Sequence, residues 1–334
     1  MRVFRYQESQ KEEWNCFVKS SRNATFLFER DFMDYHKDRF IDCSLFVLSE
    51  KGKLLGLFPA TIDTAKKHVV SHGGLTYGGL LLRHDVGTSQ VMEMLAAIVS
   101  FYQEMKMSFL YIKPIPHIYH LCPAEEELYV LFRIGAQLSA RGVSSTVDLG
   151  VPLTFSTLRK RKYKAAQSSD LKINIKGDIL IFWELLTETL NKTHGVAPVH
   201  SYEEISRLAE SFPEEIQCVT VTDFENKIVA GTLLFLTPRV AHAQYIAASG
   251  RGKELGALDF LFINLLSSFQ YRYQHDLTPR YFDFGISTEN QGHYLNEGLI
   301  FQKEGFGAHA TLYDEYVVNL SSNESSFSRS PKAQ

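Results

Sequence analysis

The sequence is poor in cysteine, nearly without net charge and without any long apolar run. Its four cysteines, Cys16, Cys43, Cys122 and Cys218, are scattered over 334 residues with no Cys-x-x-Cys pair. That excludes a secreted disulfide framework and suits a reducing compartment, so a cytoplasmic location is expected. Thirty-five basic against 38 acidic residues leave a net charge of −3. Such a chain has no global field to hold DNA or an anionic bilayer, so any polyanion site must be local. The longest apolar run, Ile228–Leu236, is a strand's length, far short of the ~20 residues that span a bilayer. The start, Met1-Arg2-Val3-Phe4-Arg5-Tyr6, has no apolar signal core. What is present, 45% apolar and 13% aromatic residues, suffices for ordinary globular cores. At roughly 150 residues per domain the length suggests about two domains.

Periodicity sorts the chain into alternating strands and helices. Residues 2–6, 43–48, 53–62 and 108–112 read as strands, the middle two joined as a hairpin at Glu50-Lys51-Gly52. Residues 12–18, 89–105 and 124–134 read as helices, with Val91, Met94, Leu95, Ile98 and Phe101 on one stripe of the second. From Val151-Pro152 onward, Ser156 caps a basic helix, Asp178 caps another, and Ser201 to Glu204 fits a capping box. Residues 219–221, 228–236 and 240–246 read as antiparallel strands, 256–273 as a long apolar helix, and 281–284 and 312–318 as strands. Residues 321–334, with six serines, read as a polar tail.

The two halves repeat one order of elements. Lys53-Leu54-Leu55-Gly56 resembles Lys227-Ile228-Val229-Ala230. Val70-Ser71-His72 falls where Val240-Ala241-His242 falls, and Phe109-Leu110-Tyr111-Ile112 where Tyr281-Phe282-Asp283-Phe284 falls. The offsets (53 to 227, 72 to 242, 109 to 281) are 174, 170 and 172 residues. Near-constant spacing indicates an internal duplication, with units at 1–150 and 151–320.

The turn Ala247-Ala248-Ser249-Gly250-Arg251-Gly252-Lys253-Glu254-Leu255-Gly256-Ala257 follows a strand and opens a helix. Free N–H groups, a helix dipole and two cations can cradle a pyrophosphate there, or the segment is only a turn. It has neither Walker nor Rossmann spacing, which argues against a nucleotide triphosphatase and a dinucleotide enzyme. Arg159-Lys160-Arg161-Lys162-Tyr163-Lys164 is either a phosphate grip or a solvated helix face. His117, His120 and Cys122 lack a partner pair at zinc spacing, so no metal site is expected.

A hairpin, a third strand, a glycine-bearing turn, a helix and a further strand is the core order of GNAT acyltransferases, and Lys253-x-x-Gly256-x-Leu258 partly matches their pyrophosphate loop. Tyr281-Phe282-Asp283-Phe284-Gly285, a polar loop, then Gly298-Leu299-Ile300-Phe301-Gln302-Lys303-Glu304-Gly305-Phe306-Gly307 resembles the signature of FemAB-type acyltransferases. This sequence separates the phenylalanine and lysine of that signature by Gln302, and no coiled-coil arm is inserted. The resemblance implies an α/β (α+β) fold of two tandem GNAT-like units, each a mixed, mainly antiparallel sheet flanked by helices, with the second unit catalytic.

It also implies an N-acyltransferase that moves an acyl group, from acyl-CoA, to an amine of a sugar or peptide precursor of cell-envelope polysaccharide. The alternatives are a Fem-type enzyme using aminoacyl-tRNA and a non-catalytic protein that binds a nucleotide sugar or carbohydrate. Lys303, Asp283, His242 and Glu304 are the catalytic candidates. Ser249, Gly250, Arg251, Gly252, Lys253 and Gly256 are the candidates for holding acyl-CoA, and His72, Tyr77, Gln244, Asn290 and Tyr294 those for the acceptor. Strand alternation turns His242 and Gln244 away from Ala241, Ala243 and Tyr245, toward the expected acceptor side. Each candidate also has an ordinary reading: a solvated lysine for Lys303, a loop cap for Asp283, a satisfied sheet histidine for His242 and His72.

Overall fold

A computed structural model of the chain describes residues 1–321. Of the polar tail expected at 321–334, all but Ser321 lies outside them. The first elements are β1 (Arg2–Arg5), α1 (Lys11–Ser20), α2 (Arg30–Met33), β2 (Ile41–Asp42), β3 (Leu45–Leu48), β4 (Leu54–Phe58), β5 (Thr61–Asp63), β6 (His68–Val70), β7 (Leu81–Leu82), α3 (Thr88–Glu104) and β8 (Phe109–Ile112). Next in the chain are α4 (Glu126–Arg133), β9 (Gln137–Asp148), α5 (Thr157–Gln167), β10 (Lys172–Asn174), α6 (Ile179–His194), α7 (Tyr202–Ser211), β11 (Ile216–Thr222) and β12 (Ile228–Leu236). The last are β13 (Val240–Ala248), α8 (Gly250–Glu254), α9 (Ala257–Gln274), β14 (Tyr281–Ile286), β15 (Thr288–Glu289), β16 (Tyr294–Leu295), α10 (Glu297–Glu304) and β17 (His309–Asn319). The chain divides into two compact units. Unit 1 holds Met1–Gly142, Gln291–His293 and the chain from Leu312; unit 2 holds Val143–Asn290 and Tyr294–Thr311.

Unit 1 contains two sheets, one ordered β1-β3-β4-β7 and one running β17-β8-β6-β5-β2. Pro59 separates β4 from β5 and cannot donate to a ladder. The expected single strand therefore breaks there: β4 pairs with β3 and β7, and β5 pairs with β2 and β6. The stripe Val91, Met94, Leu95 and Ile98 of α3 is buried with Leu45, Leu55, Leu110 and Ile112, and Phe101 packs at its margin.

The main sheet of unit 2 runs in the order β10-β11-β12-β13-β14, with β14 antiparallel to the last residues of β9, and β15 pairs with β16 as a separate ribbon. Helix α9 buries Leu261, Phe262, Leu266 and Phe269 against Leu234, Ala241, Ala243 and Phe282. The Phe262 ring meets Phe284 at 5.0 Å, Phe306 at 5.7 Å and Phe282 at 6.0 Å, all edge-on. Truncating such a ring costs about 3–5 kcal/mol. The predicted caps are in place: Ser156 accepts from Arg159 N, Asp178 from Ile181 N, and Ser201 and Glu204 cap each other.

Two of the elements without a counterpart in the sequence reading bear on the site. One is α10, inside the C-terminal motif. The other is β9, which is mostly small and polar and offers no apolar alternation, yet buries Ser144, Ser145 and Thr146. The expected turn before the long helix also contains the short helix α8, which Gly256 separates from α9 in a left-handed conformation (φ 68°).

The ladders correct the alignment of the repeat. In parallel register β6 pairs with β8 as His68 to Phe109 and Val70 to Tyr111. In the same way β13 pairs with β14 as Val240 to Tyr281 and His242 to Asp283. Both strands are displaced by 172 residues (68 to 240, 109 to 281). The counterpart of His242 is therefore Val70, not His72, and that of Asp283 is Tyr111. His72 lies past the end of β6, at φ 63°.

Candidate active site

Strands β13 and β14 pair over three residues only, ending at His242 and Asp283. Beyond that point β13 stays with β12 to Ala248, while β14 follows β9 to the pair Ile286 and Ser144. A cavity of about 270 Å³ is lined by both diverging ends: Ile246, Ala247 and Ala248 from β13 and Phe284 from β14. Helix α6 adds Thr189, Leu190 and Thr193; Leu258 and Phe262 come from α9; α10 and its turn add Leu299, Gln302, Lys303 and Phe306. Lys253 of α8 completes the lining, so the cavity is an apolar slot carrying two cations.

Lys303 sits in the last turn of α10, whose start is capped by the Asn296 side chain accepting from Leu299 N at 3.1 Å. Its ammonium donates to Gly285 O at 2.7 Å and Ile286 O at 3.0 Å, and only 5% of the residue is exposed. Burial pulls its pKa down to about 8, with the nearby Asp283 carboxylate acting in the opposite direction. The turn after α10 is fixed from α5. Ser156 N donates to Gly305 O at 2.9 Å. The Arg159 guanidinium lies 5.1 Å over the Phe306 ring and pairs with buried Asp259 at 2.8 Å. The first cation of the basic run is thus structural, whereas Lys160, Arg161, Lys162 and Lys164 are exposed.

Asp283 is fully buried. Its Oδ2 lies 3.0 Å from His242 Nδ1, and its Oδ1 accepts from Ser144 Oγ at 2.5 Å and Thr146 Oγ1 at 3.0 Å. Gly285 joins this pair to Lys303. Its carbonyl takes the ammonium, and a Cβ on it would stand 3.4 Å from His242 Cε1 at a φ of +80° that favours glycine.

A bulge changes which side chains share His242's face. Ala243 pairs with Leu234 and Tyr245 with Leu233, so Gln244 is the extra residue. Contrary to simple alternation, Tyr245 falls on the His242 face. Its hydroxyl meets His200 Nδ1 at 2.5 Å and its ring lies 4.9 Å from Trp183.

In the glycine-bearing segment, Ser249 Oγ accepts from Gly252 N at 3.0 Å. Gly252 packs on β12, where a Cβ would come within 2.1 Å of Val229 O. Lys253 reaches the cavity; Arg251 is exposed and has Glu254 at 3.9 Å. Glu304, Asn290 and Tyr294 are exposed and outside the cavity lining. His72 and Tyr77 belong to unit 1. His72 stacks on His36 at 5.2 Å, and burial, followed by His36, Lys113 and Arg30, holds its pKa well below the ordinary imidazole value. Tyr77 is buried, its hydroxyl 3.2 Å from Thr25 and its ring 4.6 Å from Tyr119. Ser144 and Thr146 were invisible to motif reading; the only signal was the run of three hydroxyl residues in Val143-Ser144-Ser145-Thr146-Val147. Among the described residues no three His, Cys, Asp or Glu side chains are grouped as metal ligands, and no helix is long and apolar enough to cross a membrane.

No protein-family model and no curated protein matches the chain. Solved structures match its fold. FemX superposes with a TM-score of 0.63 at 13% identity, over 94% of this chain and 97% of that one. L-PGS from Bacillus licheniformis gives 0.58 at 13% identity, over 93% and 92%. A tandem GNAT protein from the clavulanic acid biosynthesis pathway gives 0.50 at 12%, over 97% and 99%. The chain has the FemAB-like tandem GNAT fold.

Proposed function

We propose that unit 2 is the active site of a cytoplasmic N-acyltransferase that moves an acyl group from acyl-CoA to an amine on a sugar or peptide precursor of cell-envelope polysaccharide. The observation that carries the reading is the slot between β13 and β14 with Lys303 in its wall. Among the described residues the lining holds two lysines and no carboxylate. An apolar acyl chain and an anionic phosphate suit such a slot. The α-ammonium of an aminoacyl ester would enter it with two like charges and no counter-ion, a costly arrangement in a partly dry site.

Acyl transfer to an amine needs a neutral nitrogen, an aligned carbonyl and a stabilised oxyanion. Lys303, held by two carbonyls, supplies the positive charge for the oxyanion. His242, set by Asp283, takes the proton that the acceptor nitrogen loses as the new C–N bond forms. The C–S bond to the donor breaks in the same overall exchange. Lys253 and Arg251 are the groups for the donor's phosphates.

One observation favours a second reading. Lys160, Arg161, Lys162 and Lys164 are exposed on one helix and can meet a polyanion such as charged tRNA. Calorimetry decides between them. Saturable binding of acetyl-CoA, weakened in the Arg251→Ala, Lys253→Ala double variant, supports the first reading. Binding of charged tRNA without acetyl-CoA binding supports the second. Binding of neither, with nucleotide-sugar binding retained, leaves a non-catalytic carbohydrate binder.

A further inference from the structure

We propose that Ser144 and Thr146 of β9 are positioning residues that fix His242, through Asp283, with its Nδ1 as proton donor and its Nε2 as the atom that accepts the proton from the acceptor amine. The inference rests on the reading of unit 2 as an acyl-transfer site and extends it to two residues outside every motif in the sequence.

The geometry is that of a relay seated in a sheet. Thr146 stands directly opposite Asp283 in the antiparallel ladder, so the two side chains share one face. Ser144 is two residues on and keeps that face. The ladder is irregular between Asp283 and Ile286, and the next pair is Ile286 with Ser144. Both hydroxyls consequently reach a single oxygen, Oδ1, while Oδ2 faces His242 Nδ1. Two donors on one oxygen prevent the carboxylate from turning in its plane. Asp283 and Ser144 are fully buried and Thr146 is 7% exposed. In a site this dry, a carboxylate oxygen left without its donors costs far more than in water. A carboxylate fixed in this way selects the Nδ1–H tautomer of its imidazole partner and sets the ring's orientation, which leaves Nε2 for proton transfer.

The duplication supplies an internal contrast. At the positions equivalent to His242 and Asp283 the first unit has Val70 and Tyr111, and no relay can form there.

The test uses the full chain labelled with 15N-histidine, with the His242 resonances assigned by their loss in His242→Gln. Long-range 1H–15N spectra report the tautomer, and steady-state kinetics with acetyl-CoA report turnover. The wild type and Thr146→Ser should both show Nδ1–H. In the Ser144→Ala, Thr146→Val double variant the Nδ1–H signature should give way to a mixture. There kcat should fall about tenfold or more while the KM for acetyl-CoA stays within about twofold, as expected for loss of two hydrogen bonds to a charged group away from the donor. Should the double variant not fold, Ser144→Ala alone is expected to show the same change at smaller amplitude. Retention of the Nδ1–H signature in the variants overturns the relay, as does a changed tautomer with wild-type kcat. Absence of acyl transfer in the wild type refutes the functional reading instead, and the tautomer measurement still decides whether Ser144 and Thr146 set the imidazole.

Discussion

In unit 1 the parallel strands β6 and β8 remain joined past their ladder. Ser71 N donates to Tyr111 O at 2.8 Å, Lys113 N to Ser71 Oγ at 2.8 Å, and Gly78 N to Lys113 O at 2.7 Å. Gly78 bridges Pro114, so a strip of the unit's own chain lies where unit 2 has a slot. In unit 2 the equivalent strands β13 and β14 separate after His242 and Asp283, and the space is lined by Lys303, Phe284 and Ala248. A groove in unit 1 lies elsewhere, lined by Phe40, Thr61, Ile62, Val70 and Gly73 and, among the described residues, by no residue of β8. The contrast teaches how a duplicated fold divides its tasks. The register of the shared strands is kept to the residue, while the course of the chain beyond the last pair decides whether a slot opens beside them.

The largest effect expected from breaking this contrast is at Lys303. Lys303→Ala should lower kcat about 10³-fold, the order seen when a preorganised oxyanion partner is removed, with the far-ultraviolet spectrum unchanged. The wild-type rate should also fall as pH rises through about 8, where the ammonium loses its proton. A rate that keeps rising well above that pH would remove the ammonium from the mechanism.

The basic run should separate into one structural and several dispensable cations. Arg159→Ala leaves Asp259 as an unpaired buried charge and should destabilise the protein by about 3–5 kcal/mol in urea titrations. Arg161→Ala, on the same helix but exposed, should stay within about 0.5 kcal/mol of wild type.

The paired positions in the two units offer a direct comparison of rates. His242→Gln should lower kcat about 10²-fold. Tyr111→Phe, at the position in unit 1 that matches Asp283, should leave it unchanged. Equal losses would mean that both units take part in the chemistry.

The smallest effect concerns a buried carboxyl in unit 1. Glu127 accepts from Leu80 N at 3.0 Å, and burial pushes its pKa up to about 8. The folded state thus keeps a proton that the unfolded chain releases near 4.5, so stability falls as pH rises across that window. Glu127→Gln keeps the acceptor and removes the titration. Thermal melts should show it about 1–3 kcal/mol more stable than wild type at pH 8 and nearly equal at pH 4.5. A constant difference across that range would contradict the assignment.

Much of this was legible in the sequence, and the exceptions have physical causes. The α3 stripe and the caps at Ser156, Asp178 and Ser201 followed from periodicity and capping chemistry, and the tandem fold from the spacing of the repeat together with the resemblance carried by the C-terminal motif. Lys303 and Asp283 could be named from motifs and His242 from strand alternation, yet that Lys303 and His242 meet at Gly285 is a property of the fold. The register of the repeat slipped by two residues because Val70-Ser71-His72 imitates Val240-Ala241-His242, whereas the backbone aligns Val70 with His242. The face of Tyr245 was misjudged because one bulged residue, Gln244, inverts alternation without any sequence mark. Strand β9 escaped notice since sheet pairing, not apolar pattern, buries Ser144 and Thr146.

The central claim is that one unit of two holds an acyl donor, in the slot between β13 and β14. Titration calorimetry with acetyl-CoA on the wild type and on Ala248→Phe, which fills that slot from its β13 wall, tests it most directly. The account predicts one equivalent bound per chain by the wild type and none by the variant. Two equivalents, or binding undiminished in Ala248→Phe, would contradict it.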